Sequence, residues 1–440
     1  MNIPKLTQFK YYQNIYIIGI GGIGISGLTQ ILFEGNKSIS GSDIQENNIT
    51  KSLRNSKINV NIGHNSDNIT DKYDLIIHSS AIPADNPELL EAKRLNIKTL
   101  TYPEALGLLT KDYRTITISG THGKTTTTAM TYEALSAIGI DPTVIVGTTY
   151  PSFNNKNYHL GKSEYLLIEA CEYKNAFLNY HPDIALITGV EPDHFDFFKS
   201  KNNYINAFRK FLRNIKKNGK VIFNENDNDL LDLVNEKEFS NLSKIKYDRS
   251  KNLGKLFGNH NQENAAGAYT IAKQLTEDPL KMEYVIEKLK NFKGTSRRME
   301  YLGKIGKTKV FDDYAHHPTA IKKTLEGYKK TFPDEKILCV FQPHQYSRTK
   351  KLFKEFANSF TACEKVIIPN IYEARDSDKD KESINAKILV EAINEISKNK
   401  AIDGINHYDT LEIIKSISSQ YNTIIVMGAG DITNLAHQLV

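Results

Sequence analysis

Residues 115–126 read Thr-Ile-Thr-Ile-Ser119-Gly120-Thr121-His122-Gly123-Lys124-Thr125-Thr126, a set of side chains suited to a nucleoside triphosphate. Glycines let backbone amides close around phosphates, a lysine reaches the outer phosphates, and a threonine hydroxyl is a hard oxygen ligand for Mg2+. Five positions before Gly123 stands Ile118 rather than glycine, so the loop is shorter than the full phosphate loop. A Gly-Lys-Thr turn by itself means little. Here a β-branched run precedes it and a helical pattern over residues 124–138 follows. Glu169 comes directly after the run 165–168, and His194 lies just past the run 184–188. Groups at the carboxyl ends of parallel strands line the crevice where α/β proteins bind ligands, so both can serve a metal held by phosphates. Taken singly, each also reads as an ordinary capping or hydrogen-bonded polar group.

A second glycine loop lies near the amino terminus. The apolar run 15–18 enters Gly19-Ile20-Gly21-Gly22-Ile23-Gly24, and a helical pattern continues through Phe33. This is G-x-G-x-x-G between a strand and a helix, where close backbone approach and a helix amino terminus favour a diphosphate. Asp43 follows at the distance where an acid often meets a ribose hydroxyl. The motif does not choose among NAD, FAD and other nucleotides, and a plain glycine-rich turn would look similar.

Later segments hold polar clusters. Gly258-Asn-His-Asn261-Gln-Glu-Asn264-Ala265 opens a helix with amides that can read an adenine edge, or simply cap it. Arg297-Arg298 precedes Asp312-Asp313-Tyr314-Ala315-His316-His317, and Gln342-Pro343-His344-Gln345-Tyr346-Ser347-Arg348 ends the next run. The histidine pair lacks the spaced third and fourth ligands of a structural zinc site. Histidine and arginine at neighbouring strand ends fit a receptor for a small carboxylate, though they also fit strand capping.

These groups need a scaffold. Short β-branched runs at 15–18, 75–77, 115–118, 144–146, 165–168, 184–188, 221–223, 308–311, 337–341, 366–368 and 423–427 alternate with helical patterns. The helical patterns include 204–215, 263–273, 318–328 and 386–397. That alternation predicts an α/β fold with largely parallel sheets. Two strand-then-glycine starts and a third series after residue 296 predict three domains, at 1–108, 109–295 and 296–440. Residues 291–296 read as a linker, and the polar segments 236–255 and 373–382 read as exposed loops.

Composition narrows the classes. Lysine and arginine number 57 against 51 acids, giving +6, but the cations are scattered rather than gathered into a nucleic-acid face. Cys171, Cys339 and Cys363 are odd in number and widely separated, which fits no disulfide framework. No apolar run reaches bilayer length, and residues 1–12 lack the apolar core of a signal peptide. A cytoplasmic protein is expected.

Read together, GIGGIGISG, SGTHGKTTTT, GNHNQENA, SRRMEYLG, DDYAHHPTAI, FQPHQYSRT and GAGDI resemble the Mur ligase family over essentially the whole chain. The resemblance implies an amino-terminal Rossmann-like domain, a central ATP-binding domain and a carboxyl-terminal Rossmann-like domain. It implies ATP-dependent, ADP-forming ligation to UDP-N-acetylmuramic acid through an acyl phosphate, in peptidoglycan precursor synthesis. DDYAHHPTAI and FQPHQYSRT are most similar to the branch that uses L-alanine. The branch that recycles murein tripeptide shares the DDY-x-HHP type of motif and differs in the FQPH segment. A nicotinamide-dependent oxidoreductase built on the first loop would leave SGTHGKTTTT without purpose.

The resemblance also implies roles at matched positions. Gly19, Gly21, Gly22, Gly24, Ser26, Asp43, His64, Ser79 and Ser80 would hold the UDP-sugar. Gly120, Thr121, His122, Gly123, Lys124, Thr125, Thr126, Asn261, Asn264, Arg298 and Asp313 would hold ATP. Thr125, Glu169 and His194 would serve Mg2+, and Tyr314, His316, His344 and Arg348 would surround the alanine. Lys124, His194, Arg298 and His316 are the candidates for chemistry. Some members carry a second arginine where this chain has Gln345. The expected partners are small molecules, with no nucleic acid and no membrane, and the expected assembly is a monomer or weak homodimer.

Overall fold

The computed structural model describes residues 5–253, 259–374 and 376–440. Three open, mostly parallel sheets lie in sequence along the chain. The first is formed by β1 (Asn14–Ile18), β2 (Ser38–Asp43), β3 (Asn59–Ile62), β4 (Leu75–His78) and β5 (Lys98–Thr101). Its strands are all parallel in the order β3-β2-β1-β4-β5, so the order reverses beside β1. β1 reads Asn-Ile-Tyr-Ile-Ile, and its four apolar residues are fully buried. A continuous apolar run is what a central parallel strand covered on both faces requires.

The second sheet contains β6 (Arg114–Ser119), β7 (Thr143–Tyr150), β8 (Lys156–His159), β9 (Tyr165–Glu169), β10 (Ile184–Ile187), β11 (Lys220–Phe223) and β12 (Ser243–Lys246). The order is β12-β11-β10-β6-β9-β7-β8, with only β7 and β8 antiparallel. β6 is central, flanked by β10 and β9, so loops after these three strands open side by side.

The third sheet comprises β13 (Glu300–Ile305), β14 (Thr308–Asp313), β15 (Ile337–Phe341), β16 (Lys365–Ile368), β17 (Ala401–Asp403) and β18 (Thr423–Met427), ordered β13-β14-β18-β15-β16-β17. Its two faces are legible in β15. Ile337, Cys339 and Phe341 enter one core with helix Pro318–Thr331 and helix Ala386–Ile396, while Leu338 and Val340 enter the other with helix Ile432–Gln438. Period-two alternation with apolar residues on both faces places helices on each side.

Contacts divide the chain into two compact units. One takes Met1–Glu191, Asn202–Asn252 and Ala265–Leu289, and so holds the first two sheets. The other takes Pro192–Lys201, Leu253–Asn264 and Lys290–Val440, with the third sheet.

Two expected loops are not plain loops. Within residues 236–255, Ser243–Lys246 forms edge strand β12, and Phe239, Tyr247 and Leu253 are buried. Within residues 373–382, the structure begins a helix at Asp378–Ser383, capped by Ser377. Both segments are polar on their exposed side, and their few apolar anchors are spaced too irregularly to give a periodic signal.

Candidate active site

In the first unit, β6 delivers Gly120 with φ +117 and Gly123 with φ +81, both in the left-handed region that favours glycine. A Cβ on Gly120 would lie 2.2 Å from Thr188 Oγ1, so the loop tolerates no side chain there. Thr121 N–H donates to the Gly189 carbonyl at 3.0 Å, and Thr188 Oγ1 donates to the His122 carbonyl at 2.5 Å. The loop after β10 thus braces the loop after β6. Gly123 is the N-cap of helix Lys124–Ala137, whose first turn offers N–H groups without intrahelical acceptors.

Lys124 Nζ donates to the Gly120 carbonyl at 2.5 Å and to Glu172 at 3.0 Å. Burial alone would lower the lysine's pKa, but Glu172, then Cys171 and Glu169, raise it, so the ammonium stays charged. Thr125 Oγ1 donates to Glu169 Oε2 at 3.1 Å, and the Gly147 N–H donates to Glu169 Oε1 at 2.6 Å. A hydroxyl and an oriented carboxylate beside a phosphate cradle are the hard oxygen donors that Mg2+ takes. Thr126 is buried in the same first turn. Burial, reinforced by Glu172, pushes the Cys171 thiol up to about 11, which leaves it unreactive beside the loop.

The first sheet carries its own loop. Gly19 has φ +77, its N–H donates to the Ser42 carbonyl at 2.8 Å, and a Cβ there would press on Ser79 at 3.0 Å. Gly19 after β1 and Ser79 after β4 therefore flank the point where strand order reverses, the usual ligand crevice of such sheets. Gly22 caps helix Ile23–Glu34, Gly24 lies against the Tyr102 ring, and Ser26 Oγ donates back to the Ile23 carbonyl at 2.9 Å. Asp43 Oδ2 accepts the Gly21 N–H at 2.8 Å, so this acid braces the glycine loop itself. The Ser80 carbonyl accepts from Lys174 at 3.3 Å. Lys174 and Asn175 both have positive φ, at +51 and +59.

In the second unit, Arg348 is the centre. Its Nε lies 3.1 Å from Asp193 Oδ1, with the two side chains 5% and 7% exposed. Nη1 donates to the His344 carbonyl at 3.2 Å and lies 3.3 Å from His344 Nδ1. Nη2 has no hydrogen-bond partner among the described residues. Burial would raise the Asp193 carboxyl, yet Arg348, with His194, His316 and His317, holds it well below the usual carboxylate range. His316 Nδ1 lies 2.9 Å from the Tyr314 carbonyl, which calls for hydrogen on Nδ1 and leaves Nε2 as the acceptor. Burial and the Arg348 charge hold His316 well below its ordinary pKa, so it is neutral near pH 7. His344 stacks on Tyr372 with ring centres 5.3 Å apart.

Arg297 and Arg298 follow the expected linker. Arg297 donates to the Gly428 carbonyl at 2.7 Å and lies 3.4 Å from Asp312, tying the start of the third series to the terminal Gly-Ala-Gly segment. Both arginines lie over the Tyr314 ring, Arg297 at 5.0 Å and Arg298 at 4.6 Å. Asp313 accepts the Met299 and Ala315 N–H groups at 2.8 and 2.7 Å. Burial raises it to about 6 against the pull of Arg298. Asn264 Nδ2 donates to Asn261 Oδ1 at 3.1 Å, one turn apart on helix Asn259–Lys273. Gly258 lies outside the described residues. Gln345 is 2% exposed, and its amide donates to the Ala374 carbonyl at 3.0 Å, away from Arg348.

The structure brings Lys124, Thr125 and Glu169 together, and likewise Arg348, His316 and His344. His194 belongs to the second unit, on the loop that carries Asp193, where its N–H donates to Asp193 Oδ1 at 2.7 Å. Sequence reasoning assigned no role to Asp193, Glu172 or Tyr204. Tyr204 OH lies 2.8 Å from Thr121 Oγ1 and donates to Glu172 at 3.2 Å. Glu172 and Asp193 stand close in sequence to Glu169 and His194, at the same strand ends. Tyr204 carried no signal, since only the fold brings its helix to the loop.

A phosphate loop with a lysine and a metal-suited carboxylate, on an α/β sheet followed by a third α/β domain, defines a nucleotide-dependent group-transfer protein. Three consecutive stretches match Mur ligase family descriptions: the catalytic domain over residues 14–114, the middle domain over 118–271 and the glutamate ligase domain over 297–430. The chain is 37% identical to UDP-N-acetylmuramate–L-alanine ligase of Clostridium novyi, covering 96% of this chain and 95% of that one. Its fold is similar to the crystal structure of UDP-N-acetylmuramate-alanine ligase of Thermotoga maritima, with TM-score 0.77, 26% identity and coverage of 97% and 98%. A murein peptide ligase of Psychrobacter arcticus shares the fold at TM-score 0.68 and 20% identity, over 97% and 98%. The chain belongs to the Mur ligase family.

Proposed function

We propose that this protein joins L-alanine to the lactyl carboxylate of UDP-N-acetylmuramic acid, with ATP converted to ADP and phosphate. One observation carries the reading: the loop after β6 and the end of β9 bring the lysine, the hydroxyl and the carboxylate together. A muramoyl carboxylate oxygen bonds to the γ-phosphorus as the bond to ADP breaks. The amine nitrogen of alanine then bonds to the acyl carbon, phosphate leaves, and the amine gives up a proton.

The chain's own groups divide this work. Lys124 would release Glu172 and the Gly120 carbonyl to meet the phosphates, and the helix amino terminus behind it stabilises negative charge. Thr125 and Glu169 would hold Mg2+, with His194 as the further candidate. When bound, that ion neutralises charge on the transferring phosphoryl group. Arg298 is the candidate for reaching the terminal phosphate. Arg348, fixed on two sides, would present Nη2 to the alanine carboxylate, and Tyr314, His316 and His344 would shape the space around it. Neutral His316 can accept the amine proton through Nε2.

Phosphate release from purified protein tests the reading. ATP, Mg2+ and UDP-N-acetylmuramic acid should give release that depends on L-alanine. Release only with L-alanyl-γ-D-glutamyl-diaminopimelate would move the protein to peptide recycling, and release with neither would end the catalytic reading.

A further inference from the structure

Three contacts beside the phosphate loop share two hydroxyl hydrogens. Thr121 Oγ1 donates to the Glu191 carbonyl at 2.6 Å and lies 2.8 Å from the Tyr204 hydroxyl, which is itself 3.2 Å from Glu172 Oε1. Thr121 and Tyr204 carry one hydroxyl hydrogen each, so in any arrangement one of the three contacts goes short. Tyr204 is completely buried on helix Lys201–Arg213, where its ring packs on Phe208 with centres 5.2 Å apart. Glu172 is buried as well, its side chain 1% exposed.

The longest of the three contacts is the one to Glu172, and that carboxylate already has the Lys124 ammonium at 3.0 Å. With the lysine there, the hydrogens are best used on the two shorter contacts, Tyr204 toward Thr121 and Thr121 toward Glu191. Once the lysine turns to a phosphate, the buried carboxylate loses an ammonium, and a buried charge short of donors is costly. The Tyr204 hydroxyl stands in reach to supply one. Thr121 then turns its own hydrogen to the Tyr204 oxygen and gives up the Glu191 carbonyl. Glu191 is the last residue of the first unit before Pro192–Lys201, the segment that carries Asp193.

We propose that Tyr204 is a positioning residue that replaces Lys124 on Glu172 when the lysine moves to phosphate, and that this exchange loosens Thr121 from the stem of the Asp193 segment. The proposal rests on the reading in which Lys124 leaves Glu172 to meet the phosphates of ATP. No atom changes its covalent partner in the exchange. Two hydroxyls rotate, and the direction of a short hydrogen-bond chain reverses.

Calorimetry with the full chain, using the β,γ-imido analogue of ATP with Mg2+ and, separately, UDP, tests this. Tyr204→Phe keeps the ring but has no hydrogen to give Glu172, so Lys124 is held back from the phosphates. Affinity for the analogue should fall at least about fivefold, within the span of one hydrogen bond to a charged group. Affinity for UDP should stay within about twofold. A role confined to packing would move the melting temperature and leave the ratio of the two affinities alone. In wild type with carbon-13 at Tyr204 Cζ alone, the resonance should shift on adding the analogue and stay in place on adding UDP. A smaller loss of analogue affinity, an equal loss for UDP, or a Tyr204 signal that ignores the analogue would each overturn the proposal. Should Tyr204→Phe fail to fold, the labelled wild type still decides. Wild type that does not bind the analogue would overturn the ATP reading itself, whereas binding with an unmoved signal overturns only the exchange at Glu172.

Discussion

Two strand–glycine–helix loops lie in one unit, and they are built for different work. The Gly19 loop presents backbone and is braced by a carboxylate, Asp43, on the Gly21 N–H. Residues 19–24 of that loop include no cationic side chain. The Gly120 loop carries Lys124 and Thr125, each already directed by an acid, Glu172 and Glu169. Those acids hold the two side chains in place on the loop. On the proposed function, the same turn would serve as a handle in one sheet and as a reaction centre in the next, and the side chains after the glycines would decide which.

The largest effect should come from removing the one cation of the second loop. Lys124→Ala should lower kcat by at least about a thousandfold, equivalent to ~4 kcal/mol. Calorimetric affinity for UDP should stay within about threefold, because the Gly19 loop does not use that lysine. A matching loss of UDP binding would erase the distinction between the loops.

Next in size is the buried pair Arg348–Asp193. Asp193→Ala leaves a nearly buried guanidinium without its carboxylate, which should cost about 3–5 kcal/mol in urea unfolding. A loss under about 1 kcal/mol would mean that Asp193 does not fix Arg348.

Backbone geometry gives the third contrast. Gly120→Ala meets Thr188 Oγ1 at 2.2 Å in a left-handed turn and should cost about 2–3 kcal/mol. Gly24→Ala meets only the edge of the Tyr102 ring at 3.1 Å and should cost less than about 1 kcal/mol. Equal melting losses would show that the two loops are equally constrained.

A pH titration offers a gentler test. His316 has its folded pKa depressed, so the stability tied to its neutral form is present above its ordinary value of 6.5 and is lost as pH falls below it. The limiting slope is about 1.4 kcal/mol per pH unit for one proton. Urea midpoints from pH 7 to pH 5 should fall less steeply in His316→Gln than in wild type. Identical slopes would place the acid sensitivity elsewhere.

The smallest effect is expected at Gln345. Its amide is turned onto the Ala374 carbonyl, so Gln345→Ala should change the KM for alanine by less than about threefold and cost about 1 kcal/mol of stability. A tenfold change in KM would put Gln345 in the alanine pocket after all.

Much of the fold was legible because parallel strands covered on both faces are short continuous apolar runs, as in Ile15–Ile18 and Ile337–Phe341. Edge strands such as β3 and β12 escaped notice. They are half exposed and polar, and they exist because a neighbour offers a ladder to pair with. The glycine loops were equally legible, since a left-handed turn before a helix restricts residue type locally.

What the sequence determined by itself is therefore whatever depends on neighbours along the chain: the strand–glycine–helix order, the Lys124–Thr125 pair and the α/β alternation. Tertiary structure alone decided which distant acids answer those groups. Glu172 was matched to Lys124, Asp193 to Arg348, and Glu88 to His64 across 48, 155 and 24 positions. Only tertiary structure could tie Arg297 to Gly428 and bring both Arg297 and Arg298 over Tyr314. The reason is physical. A buried charge must find a partner in three dimensions, and its partner's place in the sequence is set by strand order rather than by any local pattern.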